Sequence, residues 1–124
     1  MFATTFEFNC TENATTLCLQ NGRFQVRATF LTPAGQSGNA QAVQLTEDAG
    51  YFTFFIASNV EVIVKVLNGC SFNQRYWVFA AGLTNVQVNM TVTDTKTGTA
   101  KTYLNPLNRP FPPIQDTSAF ATCP

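Results

Sequence analysis

The sequence predicts an all-β fold: an antiparallel β-sandwich of seven to eight short strands, Ig-like or jelly-roll in style and stapled by disulfides. Three observations carry that expectation. Apolar and polar residues alternate along most of the chain, as in "RFQVRATF" and "VQVNMTV". Turn-forming clusters recur between those runs. No window of about a dozen residues shows a 3.6-residue period with good helix formers.

Strands are expected over residues 15–20, 23–31, 40–45, 50–57, 60–67, 75–81, 85–94 and 100–104. The first two meet at "QNGR", where Asn21-Gly22 supplies the positive φ angles of a tight hairpin. In the second, Phe24, Val26, Ala28 and Phe30 share one face while Arg23, Gln25, Arg27 and Thr29 share the other, the mark of a half-buried antiparallel strand. "TPAGQSGN" and "EDAG" turn the chain into the third and fourth strands, and "ASN" and "LNGC" bracket the fifth. In the sixth, "RYWVF" sets Arg75, Trp77 and Phe79 against Tyr76 and Val78, so both faces are partly apolar, as in a central strand. The seventh alternates Val86, Val88, Met90 and Val92 with Gln87, Asn89 and Thr91, and ends in "TDTKTG", where Asp94 is expected to bond its own backbone. The eighth leads into "NPLNRPFPPIQDTSAF", whose four Pro keep it extended and out of any central strand. Phe111, Ile114 and Phe120 are expected to pin that tail along the sandwich. Residues 1–124 read as one domain, with 1–14 as an N-terminal arm and 105–124 as a Pro-rich tail.

The four Cys (Cys10, Cys18, Cys70, Cys123) include no close pair of the kind a zinc site uses, and the chain has no His. Two disulfides follow, and with them an oxidising compartment. Three pairings are open; Cys10–Cys18 with Cys70–Cys123 is preferred, the first clipping the arm to the first strand and the second tying the tail to the end of a central strand. Thr, Asn and Gln dominate the polar positions, which suits an extracellular sheet surface.

Seven Lys+Arg balance seven Asp+Glu without forming a run, which argues against nucleic acid or an anionic membrane as partner. No apolar stretch approaches the ~18 residues of a membrane span. "MFATTFEFNC" lacks a signal-peptide pattern, so Met1 is expected to precede a mature, exported segment. Without His, and with no nucleophile in an elbow motif, the chain is not expected to be an enzyme. Asp48, Asp94 and Asp116 fall in turn-like segments and would bind Ca²⁺ only if the fold gathered them; no metal or other cofactor is expected.

Two features point to a surface. The chain has twelve Phe, three Tyr and one Trp. Core packing accounts for most of them, but Tyr51, Tyr76 and Trp77 are candidates for an exposed stacking platform. The second is "YFTFFIASNVEVIVKV", the most apolar stretch, which nonetheless carries Glu61 and Lys65. With Ser58-Asn59 as a two-residue turn, Phe52 faces Lys65, Phe54 faces Ile63 and Ile56 faces Glu61. Tyr51, Thr53 and Phe55 then join Val60, Val62, Val64 and Val66 on the core face. Glu61 and Lys65 stand on the outer face, with the Lys65 stem along Phe52.

The segments "TTLCLQNGRFQVRATF", "GYFTFFIASNVEVIVKVLNGC", "WVFAAGLTNVQVNMTVTDTKTG", "YLNP" and "PIQDTSAF" resemble a module found at the C-termini, or as repeats, of large secreted bacterial proteins. The likeness spans about residues 10–123. It implies export, a β fold and attachment to a larger protein, and it transfers no catalytic or binding residue. The expected function is a non-catalytic extracellular module for adhesion, display or assembly, whose partner is another protein or the rest of a larger secreted chain. The alternatives are a small carbohydrate-binding domain using surface aromatics, and a homo-oligomer that lends its arm, with Phe2, Thr4, Phe6 and Phe8, as a strand to a neighbour.

Overall fold

The computed structural model describes residues 10–124. Residues 1–9, and with them most of the expected arm and its strand exchange, lie outside the described residues. Ten strands form among the described residues: β1 (Leu17–Leu19), β2 (Phe24–Leu31), β3 (Ser37–Asn39), β4 (Gln41–Gln44), β5 (Ala49–Thr53), β6 (Val62–Gly69), β7 (Arg75–Gly82), β8 (Gln87–Asp94), β9 (Thr99–Asn105) and β10 (Ile114–Phe120). One short helix, α1 (Cys70–Asn73), joins β6 to β7. All eight expected strands are present. The two additional ones are β3, a three-residue piece of the "TPAGQSGN" segment, and β10, which the tail supplies directly after Pro113. Being at a sheet edge, β10 is compatible with the prolines that precede it.

The strands form two five-stranded antiparallel sheets. Sheet I runs β1-β2-β8-β9, with β3 pairing the far half of β2; sheet II runs β10-β7-β6-β5-β4. The β1–β2 turn forms as expected: Asn21 and Gly22 have φ of 57° and 88°, and the Arg23 N–H donates to the Gln20 carbonyl. Alternation then sets one face of each sheet inward. Phe24, Val26, Ala28, Phe30, Val88, Met90 and Val92 come from sheet I; Phe52, Val62, Val64, Val66, Tyr76, Val78, Ala80 and Phe120 come from sheet II. They form one core cluster. Phe24 of sheet I meets Tyr76 and Phe120 of sheet II at ring-centroid distances of 4.9 and 5.1 Å.

The sheets are also tied at their edges. On one side the Ala42 N–H donates to the Ala14 carbonyl, and the Cys18 N–H donates to the Gln44 side chain. On the other, Asp116 of β10 accepts from both Lys101 (2.6 Å) and Tyr103 (2.7 Å) of β9. Both preferred disulfides, Cys10–Cys18 and Cys70–Cys123, are formed. Phe111 and Phe120 are buried and Ile114 packs against the core, so the tail is pinned where expected.

The β5–β6 register differs from expectation. Phe52 pairs with Val62, not Lys65, and Tyr51 pairs with Ile63. The connection is not a two-residue turn at Ser58-Asn59, because β5 stops at Thr53 and β6 starts at Val62. A slip of three positions is odd, so the faces of β5 exchange. Phe52 is a core residue and Tyr51 faces outward. The core side of β6 is as expected, with Val62, Val64 and Val66 buried.

Candidate interaction face

The outward faces of the two sheets differ in chemistry. Sheet I presents mainly Gln25, Arg27, Thr29, Gln87, Asn89, Thr91, Thr93 and Thr102, together with Leu31, Ala100 and Leu104, and Thr91 and Thr102 are hydrogen-bonded across β8 and β9. Sheet II presents rows set by its register. One row is Val43, Tyr51, Ile63 and Ala81; the next is Ala49, Lys65, Phe79 and Gln115; the third pairs Leu67 with Trp77. Ile63 is 43% exposed, and Phe72 of α1, beside Trp77, is 79% exposed. An open groove of about 340 Å³ runs along this face, lined by Ile63, Lys65, Phe79, Ala81, Pro113 and Gln115 among others.

Local chemistry orients the aromatic residues. In β7 the core-facing Tyr76, Val78 and Ala80 alternate with Arg75, Trp77, Phe79 and Ala81, which puts the last four on the outward side. The Trp77 ring lies so close to Gly69 that a Cβ there would overlap it. Its Nε1–H donates to Asn73 Oδ1 at 2.8 Å. Asn73 closes α1, whose C-cap Gln74 adopts the left-handed conformation (φ 60°) before β7 begins. Phe72 and Phe79 flank the indole, at centroid distances of 5.7 and 6.2 Å. The Lys65 ammonium lies 5.6 Å from the Phe79 centroid, over that ring and not along Phe52.

Of the five candidate surface residues, the fold brings Tyr51, Trp77 and Lys65 to this face. It does not bring Tyr76, which is buried against Phe24 and accepts a hydrogen bond from Arg23. Nor does it expose Glu61, which is only 7% exposed. The chain reverses over residues 54–61, and the Asn59 side-chain amide donates to Glu61 Oε2 at 3.0 Å. Phe79, Ile63, Arg75 and Phe72 belong to the face although they were not singled out. The first three follow from alternation once register is known; Phe72, in the short helix, leaves no periodic signal.

Burial pushes the Glu61 carboxyl above its ordinary value of 4.5. A raised folded value means that the group's contribution to stability is fully present below the unfolded value and is lost as pH rises through the folded one. Glu61→Gln is therefore expected to be more stable than the native protein at about pH 7, with the advantage shrinking by about pH 4. Urea midpoints at the two pH values read this directly; an advantage that is as large at the lower pH would contradict it.

The remaining polar clusters serve other ends. Arg23 is buried and forms a two-pronged ion pair with Asp94, Nε and Nη2 each 2.9 Å from a carboxylate oxygen. It also donates to the Tyr76 hydroxyl and to the Thr122 and Pro124 carbonyls. Asp94 accepts the Lys96 N–H, as its turn position suggested. Desolvation alone would raise the Asp94 carboxyl, but hydrogen bonds from Arg23 and Thr122 and the guanidinium charge hold it below its ordinary value. Asp116, between Lys101 and Tyr103, is likewise lowered against its own desolvation, while burial and then Asp116 push the Tyr103 phenol up. Asp48 accepts from Gln20. Asp48, Asp94 and Asp116, the latter two placed by the fold in strands β8 and β10, thus have three different sets of partners, and no cluster of metal-ligating side chains forms among the described residues. No helix among them is long and apolar enough to cross a membrane.

Neither protein-family models, nor curated proteins, nor solved structures give a match to the chain.

Proposed function

We propose that this is a non-catalytic, exported β-sandwich module that works by binding, and that its binding surface is the outward face of sheet II. The observation that carries the reading is the contrast between the two outward faces. One is mostly Thr, Asn and Gln, with Arg27, Leu31 and an isolated exposed Leu104, whereas the other carries half-buried Trp77, Phe79 and Tyr51 with exposed Ile63, Phe72 and Lys65. Exposed apolar surface of this kind on a folded domain marks an interaction site, and aromatic residues with Arg are enriched where binding energy concentrates. Two disulfides support an oxidising compartment, and the resemblance to repeated modules of secreted bacterial proteins supports a role in adhesion, display or assembly within such a protein.

Two double variants test the location of the surface. Trp77→Ala with Phe79→Ser disrupts the aromatic face, and Arg27→Ala with Thr91→Ala alters the opposite one. Both replace outward-facing side chains, and thermal melts check that each folds. Against a panel of immobilised extracellular proteins and polysaccharides, ligands held by the native protein are expected to be held by the second variant and bound at least about tenfold more weakly by the first. Ligands lost with the second variant and kept by the first would place the surface elsewhere.

A further inference from the structure

We infer that the occupant of this face is an anionic polysaccharide, lying along β7 with sugar rings over Trp77 and Phe79 and with its carboxylate or sulfate groups on Lys65 and Arg75. The inference rests on the binding role proposed above and assigns its partner.

Charge is the first argument. The outward positions of β4 to β7 and β10 include two formal charges, Lys65 and Arg75, the latter opposite Gly69 one step beyond the Trp77 row, and no carboxylate. Neither cation is in an ion pair among the described residues, whose two pairs are Arg23–Asp94 and Lys101–Asp116. Along β7, Trp77 stands between Arg75 on one side and Phe79 with its Lys65 on the other. A second copy of the chain packed face to face would bury these cations against each other, so a partner of opposite charge is favoured.

The second argument is geometry. Trp77 is held beneath by the Gly69 backbone and at its edge by Asn73, so little side-chain freedom remains to be lost on stacking. The groove beside Phe79 and Lys65 is open, not enclosed, and suits a chain lying across it better than a small molecule buried within it. From Arg75 to Ala81 the track is about 20 Å long at the rise of a strand. An extended peptide would draw its affinity from main-chain hydrogen bonds at a free sheet edge. The aromatic track offers none: β7 is paired on both sides, by β6 and β10, and the free backbone edges of the sheet lie away from it, at β10 and β4. Ring stacking combined with charge pairing is what the face can supply.

Trp77 is the sole tryptophan, so its fluorescence reports on this site alone. The probes are hexagalacturonate and a heparin hexasaccharide as the carboxylate and sulfate forms, cellohexaose as the neutral glycan and hexaglutamate as the acidic peptide. At least one acidic glycan is expected to change the Trp77 emission saturably. Its affinity should fall about tenfold in Lys65→Gln/Arg75→Gln and also weaken in about 0.5 M NaCl. Gly69→Ala, which displaces the ring and leaves the charges, should weaken it as well. Cellohexaose binding equally well, with the charge variant unaffected, would overturn the anionic part and leave a binding face. Tighter binding of hexaglutamate would overturn the glycan, as would silence with both acidic glycans. Acidic-glycan binding that ignores both variants would overturn the location and the binding role proposed for the face together.

Discussion

Asp94→Ala is expected to cost about 3–5 kcal/mol, the scale for removing one partner of a buried ion pair and leaving the other behind. The two side chains are 0% and 5% exposed, so water cannot replace the lost carboxylate at the Arg23 guanidinium. Thermal unfolding should fall by roughly 10–20 °C. The cost belongs to the stranded charge, not to the pair as such, so Arg23→Met/Asp94→Leu should be milder than Asp94→Ala. The dependence on pH follows from the lowered carboxyl. Its stabilisation is present above the ordinary value of 3.8 and is lost as pH falls through the folded value. The gap between native protein and variant should therefore stay level from about pH 5 to 8 and close in stronger acid. A loss under about 1 kcal/mol at neutral pH would show that the pair does not hold this end of the molecule together.

Removing the Cys70–Cys123 bridge by Cys70→Ala/Cys123→Ala should cost about 4 kcal/mol, because it frees a loop of 53 residues in the unfolded chain. The Cys10–Cys18 bridge spans only 8 residues, and its removal should cost about 2.5 kcal/mol. Denaturant midpoints of the two double variants give the comparison, and the reverse order would refute the chain-entropy account here. Cys123 lies between the two residues whose carbonyls accept from Arg23. Loss of the longer bridge and loss of Asp94 are consequently expected to be non-additive.

Where period-two alternation ran uninterrupted, strand and face were both legible: β2, β7 and β8 match the sequence reading to within two residues at their ends, although Arg23, expected on the polar face, precedes β2 and is buried. The disulfides were legible because the preferred pairing also made topological sense of the arm and tail. Register across residues 51–66 was not. Both faces of β5 and its extension carry aromatics, so the apolar pattern did not distinguish Phe52-in from Tyr51-in, and a short polar pair looked like the turn. The longer connection over 54–61 decided it. Trp77 shows a second limit. Its alternation was read correctly, but a half-apolar strand looks the same whether its second face is covered or open. Arg23 and Asp94 gave no local sign of each other, since they are 71 residues apart and meet only through the β2–β8 pairing.

The last few residues also govern when the molecule can become native. Phe120 fills the core beside Phe24, Thr122 and Pro124 take hydrogen bonds from Arg23, and Cys123 completes the bridge to Cys70. Each of these partners is made much earlier in synthesis, and each stays unsatisfied until residues 120–124 emerge. These contacts are long-range, the Arg23–Pro124 bond spanning 101 residues and the Cys70–Cys123 bridge 53, so loop closure favours forming them late. A chain delivered from its N-terminal end therefore cannot complete this core until residues 120–124 have emerged.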